Sequence, residues 1–116
     1  GDAERVTNAG VEIRGMVHIT GGGFIENPPR ILRDDVSVHI DRSAWEIPAL
    51  YRWIQARGDV SDAEMMRVFN MGIGILFVVP ADQADQTLAA LETPAWRIGE
   101  VRERMDDAVT FSPPLK

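Results

Sequence analysis

Three consecutive glycines, Gly21-Gly22-Gly23, stand between His18-Ile19-Thr20 and Phe24. Without a Cβ, these residues let the backbone turn sharply and approach a ligand closely. A helix is expected to follow, and its first N–H groups and positive dipole end suit an anion. The chemistry implied is phosphate binding; the same residues also fit a glycine turn that holds nothing. A second stretch, Phe69-Asn70-Met71-Gly72-Ile73-Gly74, places two glycines at the entry to an apolar run. Glycines there fit the close passage of a ligand or of another backbone segment. Close packing of helix on strand, with Asn70 as a helix C-terminal residue, fits equally.

Composition narrows the chemistry further. The chain has no Cys, which removes disulfides, thiolate metal sites and a Cys nucleophile. Its net charge of -6 disfavours a polyanionic partner, so nucleic acid is not expected. Eleven of the twelve basic residues are Arg and the other is Lys116, and no Gly-Lys-Ser/Thr occurs, so a P-loop is excluded. Any phosphate must be held by Arg, backbone N–H groups or a metal ion. No His or carboxylate cluster has metal-ligand spacing; Asp34-Asp35 and Asp106-Asp107 fall in expected turns. No apolar run is long enough to cross a bilayer and the N-terminus does not read as a signal peptide, so a cytoplasmic location is expected. At 116 residues, with 45% apolar and 26% charged residues, the chain suits one domain with its own core.

The elements that must position these residues alternate. Residues 1–15 are polar and read as a linker or the remnant of an upstream region, with a helix end stopped by Gly10. Residues 16–20 read as a strand entering the glycines, and Phe24 to Leu32 as a helix interrupted by Pro28-Pro29. Val36, Val38 and Ile40 alternate with polar residues, the period of a half-buried strand. Pro48 opens a helix in which Leu50, Trp53 and Ile54 share a face, ended by Gly58. Ser61 and Glu64 form a capping box, with Val60 stapled onto Met65 and a buried stripe of Met65, Val68 and Phe69. Gly72 to Val79 reads as a central strand covered on both faces. Pro80 begins a helix, and 96–102 and 108–111 read as two strands, with a bulge at Gly99. Trp45, Trp53 and Trp96 read as core or inter-domain packing, and His39 as solvent-exposed. The order predicts an α/β (α+β) domain over 16–116, a layered mixed β-sheet flanked by helices.

Taken in order, His18 to Gly23, Glu26-Asn27-Pro28-Pro29-Arg30, Trp45-x-x-Pro48, Phe69 to Gly74 and Ile98-Gly99-Glu100 resemble the C-terminal half of the aminoimidazole ribonucleotide synthetase (phosphoribosylformylglycinamidine cyclo-ligase) family. The match spans nearly all of Met16 to Val101. Arg33 stands where the family has Pro, and Pro28 replaces a more usual aliphatic residue; both lie outside the glycine loop. The resemblance implies a cyclo-ligase of purine biosynthesis, which closes formylglycinamidine ribonucleotide to aminoimidazole ribonucleotide at the expense of ATP. It implies ATP and Mg2+ bound mainly by an N-terminal domain that this sequence lacks, a homodimeric complete enzyme, and an isolated chain without activity.

The same resemblance implies roles. Gly21, Gly22 and Gly23 present N–H groups to a phosphate, and Thr20 adds a hydroxyl. His18 bonds substrate or trades a proton as the catalytic candidate, or is a structural histidine. Asn27 and Arg30 reach from the following helix, Arg30 being the better anion partner unless it lies on a solvated face. Asn70, Gly72 and Gly74 line the opposite wall. Two other readings stand beside this one. One is a related ATP-using enzyme of the selenophosphate synthetase or thiamine-monophosphate kinase type; the other is a stand-alone ligand-binding module that kept the fold without the chemistry.

Overall fold

The computed structural model describes residues 1–115. Their order is α1 (Asp2–Asn8), β1 (Gly15–His18), α2 (Gly23–Glu26), β2 (Val36–Asp41), α3 (Ala49–Gly58), α4 (Asp62–Val68), β3 (Ile75–Val78), α5 (Ala84–Ala90), β4 (Gly99–Glu103) and β5 (Val109–Ser112). The α/β class follows from the expected alternation. The strands form two sheets, a pair β1-β3 and a three-stranded sheet in the order β4-β2-β5. None of the described helices is long and apolar enough to cross a membrane.

The chain divides into two compact units. In the first (Gly1–Met16 with Phe77–Arg97), α1 ends where Gly10 takes φ +86°, a left-handed conformation that suits glycine. Val6 is fully buried, and α1 and α5 are linked by the Gln86 amide, which donates to the Ala9 carbonyl. Pro80 precedes a short 3-10 turn, Ala81–Gln83, that leads into α5. The Gln83 side chain accepts from the Glu12 N–H at 2.8 Å.

In the second unit (Val17–Leu76 with Ile98 onward), β2 is the central strand. It pairs antiparallel with β4, Val36 opposite Glu103 through Ile40 opposite Gly99, and parallel with β5, Val38 opposite Val109. The register beside Gly99 runs without the expected bulge. Gly99 is needed there for a different reason: a Cβ would lie 2.0 Å from the His39 carbonyl oxygen. His39, expected in solvent, is half-buried because β2 is flanked on both sides, and its Nδ1 lies 2.8 Å from Thr110 Oγ1. The core gathers Phe24, Ile40, Trp45, Met65, Met66 and Met71. Trp45 packs on Phe24 with ring centroids 5.7 Å apart and donates its indole N–H to the Met71 carbonyl at 3.1 Å, which satisfies its polar edge.

Three periodicity-based expectations are corrected. The segment from Gly72 contributes a strand only at Ile75–Val78, in the two-stranded sheet, and Ile75 is 41% exposed. Its apolar residues therefore do not mark a strand covered on both faces. On α4 the buried pair is Met65 and Met66, while Val68 is 47% exposed. The helix stops at Val68, and Phe69 turns extended (φ -113°, ψ 155°), so the stripe is not continued. On α3 no residue is buried: Leu50 is 62% and Trp53 58% exposed, the latter under the Arg57 guanidinium 5.4 Å from its ring centre. Trp53 and Trp96 are both exposed, and only Trp45 is a core tryptophan.

Candidate functional site

The glycine loop begins where β1 ends. His18 and Thr20 are exposed while Val17 and Ile19 are buried, the alternation of a strand with one covered face. The His18 side chain makes no hydrogen bond or ion pair to any other described residue, and the residue is exposed, which leaves its imidazole open to solvent. The chain then reverses in a tight turn closed by the Gly23 N–H, which donates to the Thr20 carbonyl at 2.9 Å. Gly22 and Gly23 take φ of +100° and +57°. At Gly23 a Cβ would stand 2.1 Å from the Met66 carbonyl oxygen and 2.9 Å from that of Phe69, so this glycine is fixed by the approach of α4. Gly21 is the opposite case: it is exposed, and no atom lies within 4 Å of where its Cβ would be. The expected helix from Phe24 to Leu32 is a single turn, α2, followed by a 3-10 turn at Pro28–Arg30. The two prolines supply no N–H groups, and a one-turn helix has little macrodipole to offer an anion.

Asn27 is 3% exposed and ties the loop together. Its Nδ2 donates to the Gly23 carbonyl at 2.9 Å and the Thr20 carbonyl at 3.2 Å, with the Gly21 carbonyl at 3.5 Å. Its Oδ1 accepts from the Arg30 guanidinium at 3.1 Å and has the Thr20 hydroxyl at 3.5 Å. Arg30 is exposed, so its remaining donors face water.

The second glycine stretch forms its own turn. Asn70 Oδ1 accepts from the Gly72 N–H at 2.9 Å, as in an Asx-turn, and from the Tyr51 hydroxyl at 3.0 Å. Met71 and Gly72 follow at φ +55° and +93°, and a Cβ on Gly72 would meet Pro48 Cδ at 2.7 Å. Gly74 is exposed, and its carbonyl accepts from the Ile19 N–H at 2.8 Å.

Two motifs some fifty residues apart are thus joined directly, Ile19 to Gly74 and Gly23 to the end of α4. His18, Thr20, Gly21, Gly22 and Gly74 lie at this junction. Asn70 and Gly72 instead engage Tyr51 and Pro48, while Asn27 and Gly23 are buried beneath the loop. Sequence reasoning gave no role to two neighbours. Glu26 folds back on the loop, its carboxylate 2.5 Å from where a Gly22 Cβ would be, a contact its spacing four residues after Gly22 could have indicated. Tyr51 has no such local signal, since Asn70 lies nineteen residues away. Among the described residues, no group of three or more His, Cys, Asp or Glu is placed to hold a metal ion. The chain offers N–H, hydroxyl and guanidinium donors, a set suited to an anion.

Comparison with known proteins agrees with the motif pair. The family model described as AIR synthase related protein, C-terminal domain, matches residues 2–112. Proteins named phosphoribosylformylglycinamidine cyclo-ligase are similar to the chain. That of Cupriavidus metallidurans is 48% identical over 81% of this chain and 28% of its own length. That of Burkholderia cenocepacia is 48% identical over 79% and 27%. That of Paraburkholderia phymatum is 49% identical over 80% and 27%. The chain therefore spans little more than a quarter of the curated relatives it matches. With the family model covering almost the whole chain and close to half the aligned residues identical, this chain belongs to the AIR synthase related protein family and is its C-terminal domain.

Proposed function

We propose that the chain is the C-terminal domain of a phosphoribosylformylglycinamidine cyclo-ligase and supplies one wall of the substrate groove. The reaction is ATP-dependent closure of formylglycinamidine ribonucleotide to aminoimidazole ribonucleotide. An amide oxygen leaves poorly until it becomes a phosphate ester. The formyl oxygen takes the γ-phosphoryl group of ATP with release of ADP, an internal nitrogen attacks the activated carbon and loses its proton, and inorganic phosphate departs. Ring closure then needs mainly positioning and charge stabilisation.

The observation that carries this reading is the junction of the two family motifs through the 2.8 Å bond from the Ile19 N–H to the Gly74 carbonyl. On this reading the Gly21 and Gly22 N–H groups and Arg30 hold a phosphate of substrate or nucleotide. His18, exposed at the strand end, bonds substrate or moves a proton. Gly23 shapes the loop, and Asn70, Gly72 and Gly74 shape the turn that backs it. ATP and Mg2+ are assigned to the part of the enzyme that this chain does not span, as no described side-chain cluster here suits Mg2+. The complete enzyme is taken as a cytoplasmic homodimer.

Titration of the 15N-labelled chain with formylglycinamidine ribonucleotide tests the reading. Amide shifts centred on Thr20 to Gly22 and on Gly74 are expected. Shifts confined to other regions, or none at saturating nucleotide, contradict it.

A further inference from the structure

An amide side chain has two N–H protons and one oxygen that takes two hydrogen bonds. Those of Asn27 are committed within the protein: Nδ2 to the Gly23 and Thr20 carbonyls at 2.9 and 3.2 Å, Oδ1 to Arg30 at 3.1 Å with the Thr20 hydroxyl at 3.5 Å. With 3% exposure, Asn27 has neither a free donor nor a free face for a ligand. Its effect on the loop follows from peptide geometry. In a trans peptide the carbonyl and the following N–H point in opposite directions. The cis link among the described residues is Ser112-Pro113, so the loop peptides are trans. The Thr20 carbonyl, turned in to Asn27, sends the Gly21 N–H outward; the Gly21 carbonyl, at 3.5 Å, does the same for Gly22. Beside Gly21 the space is open. On the other side of the amide, Oδ1 takes the one proton of the Thr20 hydroxyl and one N–H of the Arg30 guanidinium, whose other donors stay free. The Glu26 carboxylate beside Gly22 repels an anion there, which favours Gly21 and Arg30 as its seat.

We propose that Asn27 is a positioning residue that never touches the ligand, but holds the Gly21 N–H and Arg30 in the arrangement that receives a phosphate group. This role rests on the groove reading above and goes beyond it by naming the residue that preorganises the site.

The test uses the whole chain, formylglycinamidine ribonucleotide and, separately, inorganic phosphate. In the wild type, 15N–31P couplings across hydrogen bonds are expected at the Gly21 amide, with none at Asn27 Nδ2. An Asn27→Ala variant should bind the nucleotide at least about tenfold more weakly, the size expected for losing hydrogen bonds to a charged group. Its Trp45 indole N–H, bonded to the Met71 carbonyl, should keep its chemical shift and report an intact core. A coupling at Asn27 Nδ2, or unchanged affinity in a folded variant, overturns the positioning role and leaves the groove reading standing. A wild type whose loop amides do not respond to nucleotide overturns both. If the variant does not fold, the wild-type couplings decide alone.

Discussion

At the scale of single residues, the glycine loop separates into positions that shape the fold and positions that face solvent. Gly23 has φ +57° and would drive a Cβ to 2.1 Å from the Met66 carbonyl oxygen, a backbone atom that cannot swing aside. Gly23→Ala should therefore cost about 3 kcal/mol or more. Gly21→Ala, with open space beside it, should stay within about 0.5 kcal/mol of the parent. Urea denaturation of the two variants checks this, and equal stabilities would refute the distinction. Asp41, at the end of β2, gives a pH prediction. The Ser43 hydroxyl and the Ser43 backbone N–H, at 2.6 and 2.9 Å from its Oδ1, hold its carboxyl below the usual range, with a smaller contribution from His39. A carboxyl depressed in the folded state adds stability above its unfolded value, and that stability is lost as pH falls through the depressed one. Ser43→Ala should raise the Asp41 titration midpoint toward its ordinary value and remove the stability this carboxyl adds above it, so that stability falls less as pH drops. Carbon-13 NMR of the carboxyl resonance follows the shift, and an unmoved midpoint contradicts the assignment of cause.

At the scale of elements, what could be read from sequence was what neighbouring residues decide. Ser61 accepts from the Glu64 N–H at 3.2 Å, as the capping box predicts, and α4 starts immediately after it. Ser61→Ala should lower stability by about 1 kcal/mol, measured by urea denaturation, and no loss would remove the cap from the account. Gly10 as a helix stop was legible for the same reason. The burial pattern was not. Periodicity names the face of a helix that is apolar, but not whether anything covers it, and α3 leaves Leu50 and Trp53 in water. Met66 is buried in place of Val68, which lies inside α4 yet faces water, so the spacing did not say which side of the helix meets the core. Nor could sequence tell a bulge at Gly99 from a close approach: the His39 carbonyl that forbids a Cβ there lies some sixty residues away. In the loop, the order of glycines was visible, whereas the bonds from Asn27 back to Thr20 and Gly23 were not. They depend on the one-turn length of α2, which Pro28-Pro29 limit.

At the scale of the whole molecule, the proposed function has the chain contribute one set of groups and the remainder of a cyclo-ligase another. On that proposal its donors for an anion are the loop N–H groups and Arg30, and no group of three or more His, Cys, Asp or Glu among the described residues is placed to hold a metal ion. A reaction that transfers a phosphoryl group from ATP must neutralise more negative charge than these groups can meet. The isolated chain should accordingly show no ATP-dependent cyclisation, and turnover above background would contradict that division of labour. The curated relatives, of which this chain spans little more than a quarter, supply the complement for the decisive experiment. The C-terminal domain of one such cyclo-ligase is replaced by this chain, and formation of aminoimidazole ribonucleotide from formylglycinamidine ribonucleotide and ATP is measured. The folded hybrid is expected to form product, and Asn27→Ala in the graft to lower kcat/KM about tenfold. A folded hybrid that binds ATP but forms no aminoimidazole ribonucleotide would contradict the proposed function.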